Sequence, residues 1–369
     1  MPTDRREFLL QAAVVAAGVG SHAQAATSAQ RASAMPTPRA SALMTAFGLK
    51  YPILCAGMAG AALPDLAIAI SNVGGLGALG SGSAPADVLR KWIEQIKAGT
   101  KQPFAVNYLL DEDPVTVPVA LDAGAPIIQF AWGIPTAETA TAIHKAGAKM
   151  GIQVGSALGA RRALDAGSDY LICQGIEAGG HVQATKPLYE VLGAVIEEAK
   201  TIPVLAAGGI ANGAHIRRAL QAGASGVLIG TRFVATKEAG VHDDYKAAIT
   251  RAQTDDTVLT VCFSGSAKDS EDGWPNAPHR VLRNGTFEKW EAAGCPPVGK
   301  RPGEGDVLTK NIVNGRTKSR YGTGMPRPDD RGALADLALY AGQGVDAIRD
   351  IPSAGELVTR LWKECLAGV

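Results

Sequence analysis

An excess of charge of either sign is missing from this 369-residue chain, in which 36 Lys+Arg balance 35 Asp+Glu for a formal net charge of +1. Without a basic surplus nothing drives phosphate-backbone binding, and nucleic acid is excluded as an expected partner. Cysteine is sparse. Cys55, Cys173, Cys262, Cys295 and Cys365 are odd in number and scattered, with no C-x-x-C and no Cys/His spacing, so neither a metal site nor a disulfide framework is expected. Cys55 and Cys173 sit inside apolar runs, where a thiol behaves as a small hydrophobe. No apolar run suffices for a stable membrane span. Aromatic residues reach only 5%, whereas there are 44 glycines. That balance suits tight turns and places where backbone amides approach a phosphate closely.

The N-terminus carries Arg5-Arg6-Glu7-Phe8-Leu9-Leu10, an apolar stretch from Ala12 to Gly20, and Ala23-Gln24-Ala25. A basic start, a short apolar core and an A-x-A ending read as a secretory signal over residues 1–25. The paired arginines resemble a twin-arginine signal, although Asp4 stands where Ser or Thr is usual. A periplasmic or exported location, with the twin-arginine machinery as a partner, is the expectation. Residues 26–42, rich in Ala, Ser, Thr and Pro, read as a linker, with folded structure starting near Leu43.

Beyond the linker, apolar or β-branched runs recur at Ile53–Met58, Leu76–Leu79, Phe104–Tyr108, Pro126–Trp132, Met150–Gly155, Tyr170–Gln174, Pro203–Ala207 and Gly226–Gly230. Helical patterns follow many of them, at Ala84–Lys97, Thr136–Ala146, Ala157–Ala166, Leu188–Ala199 and Ala211–Ala222. Strands without polar alternation, each leading into a helix, are what a buried parallel sheet produces. Eight of them select an α/β fold of the (β/α)8 TIM-barrel type, with an open doubly wound sheet as the alternative. Residues 240–331 break the rhythm and read as an inserted lid or small subdomain. The barrel would then comprise residues 43–239 and 332–369, closing with helices around Leu334–Tyr340 and Ala354–Cys365.

In such barrels chemistry gathers at the C-terminal ends of the strands, and the last two βα loops commonly take a phosphate. Here those loops contain Gly208-Gly209 and Gly230-Thr231, offering backbone amides and a hydroxyl. Glycines needed only for tight turns are the plainer explanation. The run Gly75–Gly80 satisfies G-x-G-x-x-G, but it lies on a predicted strand and lacks the acidic residue that a dinucleotide site places about twenty positions on. The most informative stretch is Gln174-Gly175-Ile176-Glu177-Ala178-Gly179-Gly180-His181. Glycines 179 and 180 let the backbone pass close to a flat ligand. His181 is the sole histidine of six at a strand exit beside a glycine pair, and imidazole suits proton transfer near neutral pH. A loop histidine bonded to backbone is the competing explanation.

These residues resemble the nitronate monooxygenases, in Pro52–Gly60, Gly74–Gly80, Pro103–Asn107, Gln174–His181, Ala207–Gly213, Gly230–Glu238 and the closing Ala338–Gln343. The resemblance runs from about Leu43 to the C-terminus. It implies FMN as cofactor, with Asn107, Gln174, Gly179, Gly209, Gly230 and Thr231 contacting it beside Gly180 and Gly208. It also sets the backbone of Ala56-Gly57-Met58 near the flavin ring and makes His181 catalytic. The implied activity is oxidation of alkyl nitronates, or of nitroalkanes, with O2. The same motif occurs in flavin reductases that take hydride from NAD(P)H to a quinone or enoyl thioester, which is the alternative; a non-catalytic phosphate-ligand barrel is the remote one. Acquisition of a flavin before export fits a twin-arginine route, which moves folded proteins. Two departures stand out: Gly57 where the family typically has Pro, and Gln183 where it usually has Gly. A homo-oligomer is compatible with the sequence.

Overall fold

A computed structural model describes residues 35–110, 114–264 and 277–368. The expected export signal at 1–25 and most of the linker lie outside the described residues.

Eight parallel strands form the central sheet: β1 (Ile53–Cys55), β2 (Gly77–Gly80), β3 (Phe104–Leu109), β4 (Ile127–Ala131), β5 (Lys149–Val154), β6 (Tyr170–Gln174), β8 (Val204–Ala207) and β9 (Gly226–Ile229). The short β7 (Gly180–His181) stays outside it. The strand order is β1-β9-β8-β6-β5-β4-β3-β2. The two edges meet, because Leu54 bridges Leu76 in parallel, Cys55 N–H donates to Leu76 O at 2.9 Å, and Leu76 N–H donates to Ile53 O at 3.0 Å. The sheet is therefore a barrel, as the eight-fold strand–helix rhythm requires. Every residue of β1, β2, β4, β6, β8 and β9 is buried, which accounts for apolar runs without alternation.

The surrounding helices follow their sequence signals. In Ala86–Gly99 the buried Leu89, Ile93 and Ile96 recur at helical spacing, with Asp87 in the first turn and Lys97 in the last. Ser156 and Asn212 cap the helices after β5 and β8, their side chains accepting from Gly159 N–H and His215 N–H. The run Gly75–Gly80 serves packing: a Cβ on Gly77 would lie 2.1 Å from Ala67 O, so the glycine lets the helix Pro64–Val73 press onto β2.

Two expectations need correction. Folded structure begins before Leu43, since Pro38–Phe47 is a helix with Pro38 at its first position, Thr37 as cap, and Ala40, Leu43 and Phe47 buried. The Ala/Ser composition of 38–42 hid that face. Leu334–Tyr340 is no helix; after a 3-10 turn at Leu334–Asp336 the chain runs extended. Leu339 O accepts from Leu282 N–H at 2.8 Å and Tyr340 bridges Val281, so pairing with a distant strand overrides local helical preference. The final helix, Ala354–Ala367, packs as expected, burying Leu357, Val358, Leu361, Trp362 and Cys365.

Residues 240–331 supply two small antiparallel sheets. In one, β10 (Thr257–Thr260) pairs β11 (His279–Leu282), which pairs β7; in the other, β12 (Val307–Asn311) lies between β13 (Thr317–Ser319) and β14 (Asp330–Gly332). Cys262, Phe263, Val281, Phe287, Tyr321 and Ala338 form a separate apolar cluster beneath them. The helix Asp243–Arg251 instead sends Tyr245 and Ile249 into the barrel's core, so the barrel retains the first part of this region. Among the described residues no helix is long and apolar enough to cross a membrane.

Candidate active site

At the C-terminal ends of the strands lies a cavity of about 330 Å³, and all twelve residues expected from the sequence line it. Ala56, Gly57 and Met58 follow β1, Asn107 belongs to β3, Gln174 ends β6, and Gly179, Gly180 and His181 come from the loop after it. Gly208 and Gly209 follow β8, and Gly230 and Thr231 follow β9.

The two glycine loops form a cradle of backbone. Gly208 and Gly209 have φ of 112° and 67°, a left-handed conformation that L side chains rarely adopt. Among the hydrogen bonds of the described residues, none is donated by the amides of Gly208, Gly209 or Ile210, so these N–H groups remain available to an anion. The Thr231 hydroxyl accepts from Gly342 N–H at 3.0 Å and keeps its own proton for donation. Gly179 fits against this corner because it has no Cβ, which would lie 2.4 Å from Gly342 N. A group carrying a phosphate fits here; the donors are amides and a hydroxyl, and no Lys, Arg, Asp or Glu lines the cavity.

On the β1 side, a Cβ on Gly57 would lie 2.1 Å from Asn107 Cβ. Gly57 therefore gives Asn107 room to lie across it, with Asn107 Nδ2 donating to Gly57 O at 3.3 Å. The ring of a proline could not share that position with Asn107 as placed, which gives the departure at 57 a packing reason.

The histidine is presented by strand pairing. In β7, His181 stands opposite His279 and Gly180 opposite Arg280 of β11, and Gly180 takes a φ of 74°. The His181 ring has His279 at 5.6 Å, Tyr340 at 5.9 Å and Trp132 at 6.3 Å, between centroids. Burial, and secondarily the neighbouring His279, pushes the His181 pKa from its ordinary 6.5 down to about 3. The ring is consequently neutral at neutral pH. His279 is fixed too: its Nε2 accepts from Phe263 N–H at 3.0 Å, which leaves Nδ1–H to donate to Ala277 O at 2.9 Å. Burial lowers its pKa to about 4.

Gln174 does more than line the cavity. Its Nε2 donates to His181 O at 3.1 Å and its Oε1 accepts from Gln183 N–H at 2.9 Å, so the carboxamide ties down the loop that carries the histidine. Sequence reasoning missed several lining residues, among them Trp132, Gln153, Tyr245, Thr323, Met325 and Tyr340. Only Tyr340 had a signal, through its place in the closing Ala338–Gln343 run. His279 was set aside with the irregular region, and the pairing that brings it to His181 spans 98 residues of chain. Cys55 and Cys173 are buried, and burial raises both thiols to about 12, away from any reactive range. Among the described residues no cluster of His, Cys, Asp and Glu could hold a metal.

Known proteins resemble this chain over most of its length. The family model described as Nitronate monooxygenase matches residues 40–116 and 112–364. A nitronate monooxygenase of Paraburkholderia phytofirmans is 28% identical, over 88% of this chain and 94% of that protein. A (3aS,4S,5R,7aS)-5-hydroxy-7a-methyl-1-oxo-octahydro-1H-indene-4-carboxyl-CoA dehydrogenase of Mycobacterium tuberculosis is 36% identical, over 84% and 92%. Among solved structures, a nitroalkane oxidase of Streptomyces ansochromogenes superposes with a TM-score of 0.70 at 28% identity, covering 89% of this chain and 98% of that one.

Proposed function

As the chain belongs to the nitronate monooxygenase family, whose members are FMN-dependent oxidoreductases, we propose that it oxidises alkyl nitronates with O2 at the cavity around His181. The observation that carries this reading is a partly buried imidazole, its pKa lowered by burial, set at a cavity with aromatic side chains and no fixed charge, beside a glycine cradle suited to a phosphate.

Bound FMN would supply the electron transfer from substrate to O2. The amides of Gly208 and Gly209 and the Thr231 hydroxyl would hold its phosphate, and the backbone of Ala56-Gly57-Met58 with Asn107 would face its ring. His181 then presents its imidazole to the substrate. A neutral imidazole donates a hydrogen bond to a nitronate oxygen at no cost in charge. To strip a proton from a neutral nitroalkane it would have to become a buried cation, which its lowered pKa opposes. The ring therefore favours the preformed nitronate. Trp132 and Tyr340, with Met325 and Thr323 from the inserted region, line the same cavity.

The 36% identity to a CoA-ester dehydrogenase supports a second reading, in which the same cavity takes the acyl end of a thioester. Anaerobic mixing separates the two. Bleaching of the flavin by ethyl nitronate, with none by NADH, NADPH or an acyl-CoA, is expected; the opposite pattern favours a dehydrogenase or reductase.

A further inference from the structure

Gln183 stands beside the cavity rather than in it; its side chain joins the chain at β4 and β5, and its backbone N–H reaches the end of β6. Its Oε1 accepts from Trp132 N–H at 3.1 Å, just past β4, and from Gln153 Nε2 at 3.0 Å, within β5. Its Nε2 donates to Gln153 O at 3.2 Å, and its backbone N–H donates to Gln174 Oε1 at 2.9 Å. Trp132 has a φ of 66°, in the left-handed region, which a bulky residue keeps only when its surroundings hold it there. The bond from Trp132 N–H to Gln183 is such a restraint. The indole so placed stands edge-on to His181, with an interplanar angle of 88°, and forms part of the cavity wall.

We propose that Gln183 is a specificity-determining residue, which fixes Trp132 as a wall beside His181 and so restricts the site to slender, unbranched nitronates. This rests on the nitronate reading of the cavity. Glycine at 183 lacks the carboxamide that accepts from Trp132 N–H. The tryptophan then loses that restraint on its left-handed conformation, and the space beside His181 is expected to widen toward β4 and β5. A bulkier substrate gains most from that change, because bulk is what the wall excludes.

The experiment compares the wild-type holoenzyme with Gln183→Gly, Trp132→Ala and the double variant. The readout is the ratio of kcat/KM for phenylmethyl nitronate to that for ethyl nitronate, with FMN content measured on each protein. The ratio is expected to rise about tenfold in each single variant, mainly through a lower KM for the bulky substrate. The double variant should match Trp132→Ala alone, since Gln183 acts through the indole. A general loss of structure would lower both substrates alike and leave the ratio in place. An unchanged ratio in Gln183→Gly, or a double variant whose ratio is the product of the two single effects, would overturn the proposal. Should Gln183→Gly not retain flavin, Gln183→Ala replaces it under the same criteria. A second readout needs no turnover: perturbation of the bound flavin's absorption by benzoate and by acetate, unreactive planar anions of different bulk. Their ratio of Kd should move about tenfold toward benzoate in Gln183→Gly, and no movement overturns the role of Gln183 even if nitronates prove not to be the substrate.

Discussion

The neighbouring glycines 179 and 180 give the sharpest test of the phosphate cradle, because alanine at each meets a different obstacle. A Cβ on Gly179 would lie 2.4 Å from Gly342 N, 2.6 Å from Ala341 C and 3.0 Å from Thr231 Oγ1. Ordinary contact begins near 3.4 Å, so the two backbones must separate by about 1 Å (3.4 − 2.4). The 341–343 segment resists, being held by Gly342 N–H to Thr231 Oγ1 at 3.0 Å and Gln343 N–H to Glu177 O at 2.9 Å. Overpacking of this kind costs roughly 1–3 kcal/mol, and a lost hydrogen bond about 1 kcal/mol more. If about 2 kcal/mol of that falls on the cradle, FMN binding weakens by roughly thirtyfold. A Cβ on Gly180 meets nothing within 4 Å, and its φ of 74° costs a non-glycine residue about 1–2 kcal/mol, borne by the loop rather than the cradle. Gly180 also lines the cavity but carries no such backbone clash, so Gly180→Ala should lose less FMN affinity than Gly179→Ala. Titrating FMN with each apoprotein and following flavin fluorescence measures both constants, with thermal melts to register loss of fold. Wild-type affinity in Gly179→Ala, or a greater loss in Gly180→Ala, would refute the assignment of this corner to the phosphate.

Other outcomes follow from the same structure. His181→Ala should retain FMN yet lower turnover of nitronate by about 10²–10³, as removal of a preorganised hydrogen-bond donor does; stopped-flow reduction of the flavin reads it, and an unchanged rate removes the histidine from the mechanism. The kcat/KM for a preformed nitronate, which reports the free enzyme, should show no acid limb near 6.5, because the His181 pKa lies at about 3. Stability has the matching sign: His181 and His279 both have lowered pKa values, so protons bind the unfolded chain more readily, and stability present above 6.5 is lost as pH falls toward about 4 and 3. Urea midpoints at pH 7.5 and 5 check this, and equal midpoints contradict it. Replacing Arg5 and Arg6 with Lys should retain the protein in the cytoplasm if the leader uses the twin-arginine route, as fractionation of expressing cells would show.

The barrel was legible because its signals are local. Strands such as Val204–Ala207 and Gly226–Ile229 are apolar throughout, and helices around the barrel carry caps such as Ser156 and Asn212. Gly208, Gly209 and His181 were legible because strand exits are where such folds place their chemistry. What stayed hidden depends on distant pairing. His279 reaches His181 through β11, Tyr340 arrives from an extended segment that looked helical, and Trp132 N–H donates to Gln183 from 51 residues away. None of these contacts has a periodicity to read. The helix Pro38–Phe47 was missed for another reason: before Leu43 only the small Ala40 is buried, so its first turn leaves little trace in hydrophobicity.

The central claim is that a flavin held at this barrel mouth takes electrons from a nitronate beside His181. Anaerobic stopped-flow mixing of the FMN-loaded protein with ethyl nitronate, followed by admission of air, tests it directly. Loss of the oxidised flavin absorbance within the time of one turnover, and its return with O2, is the predicted result. An absorbance that ethyl nitronate leaves intact while NADH or an acyl-CoA bleaches it would contradict the account.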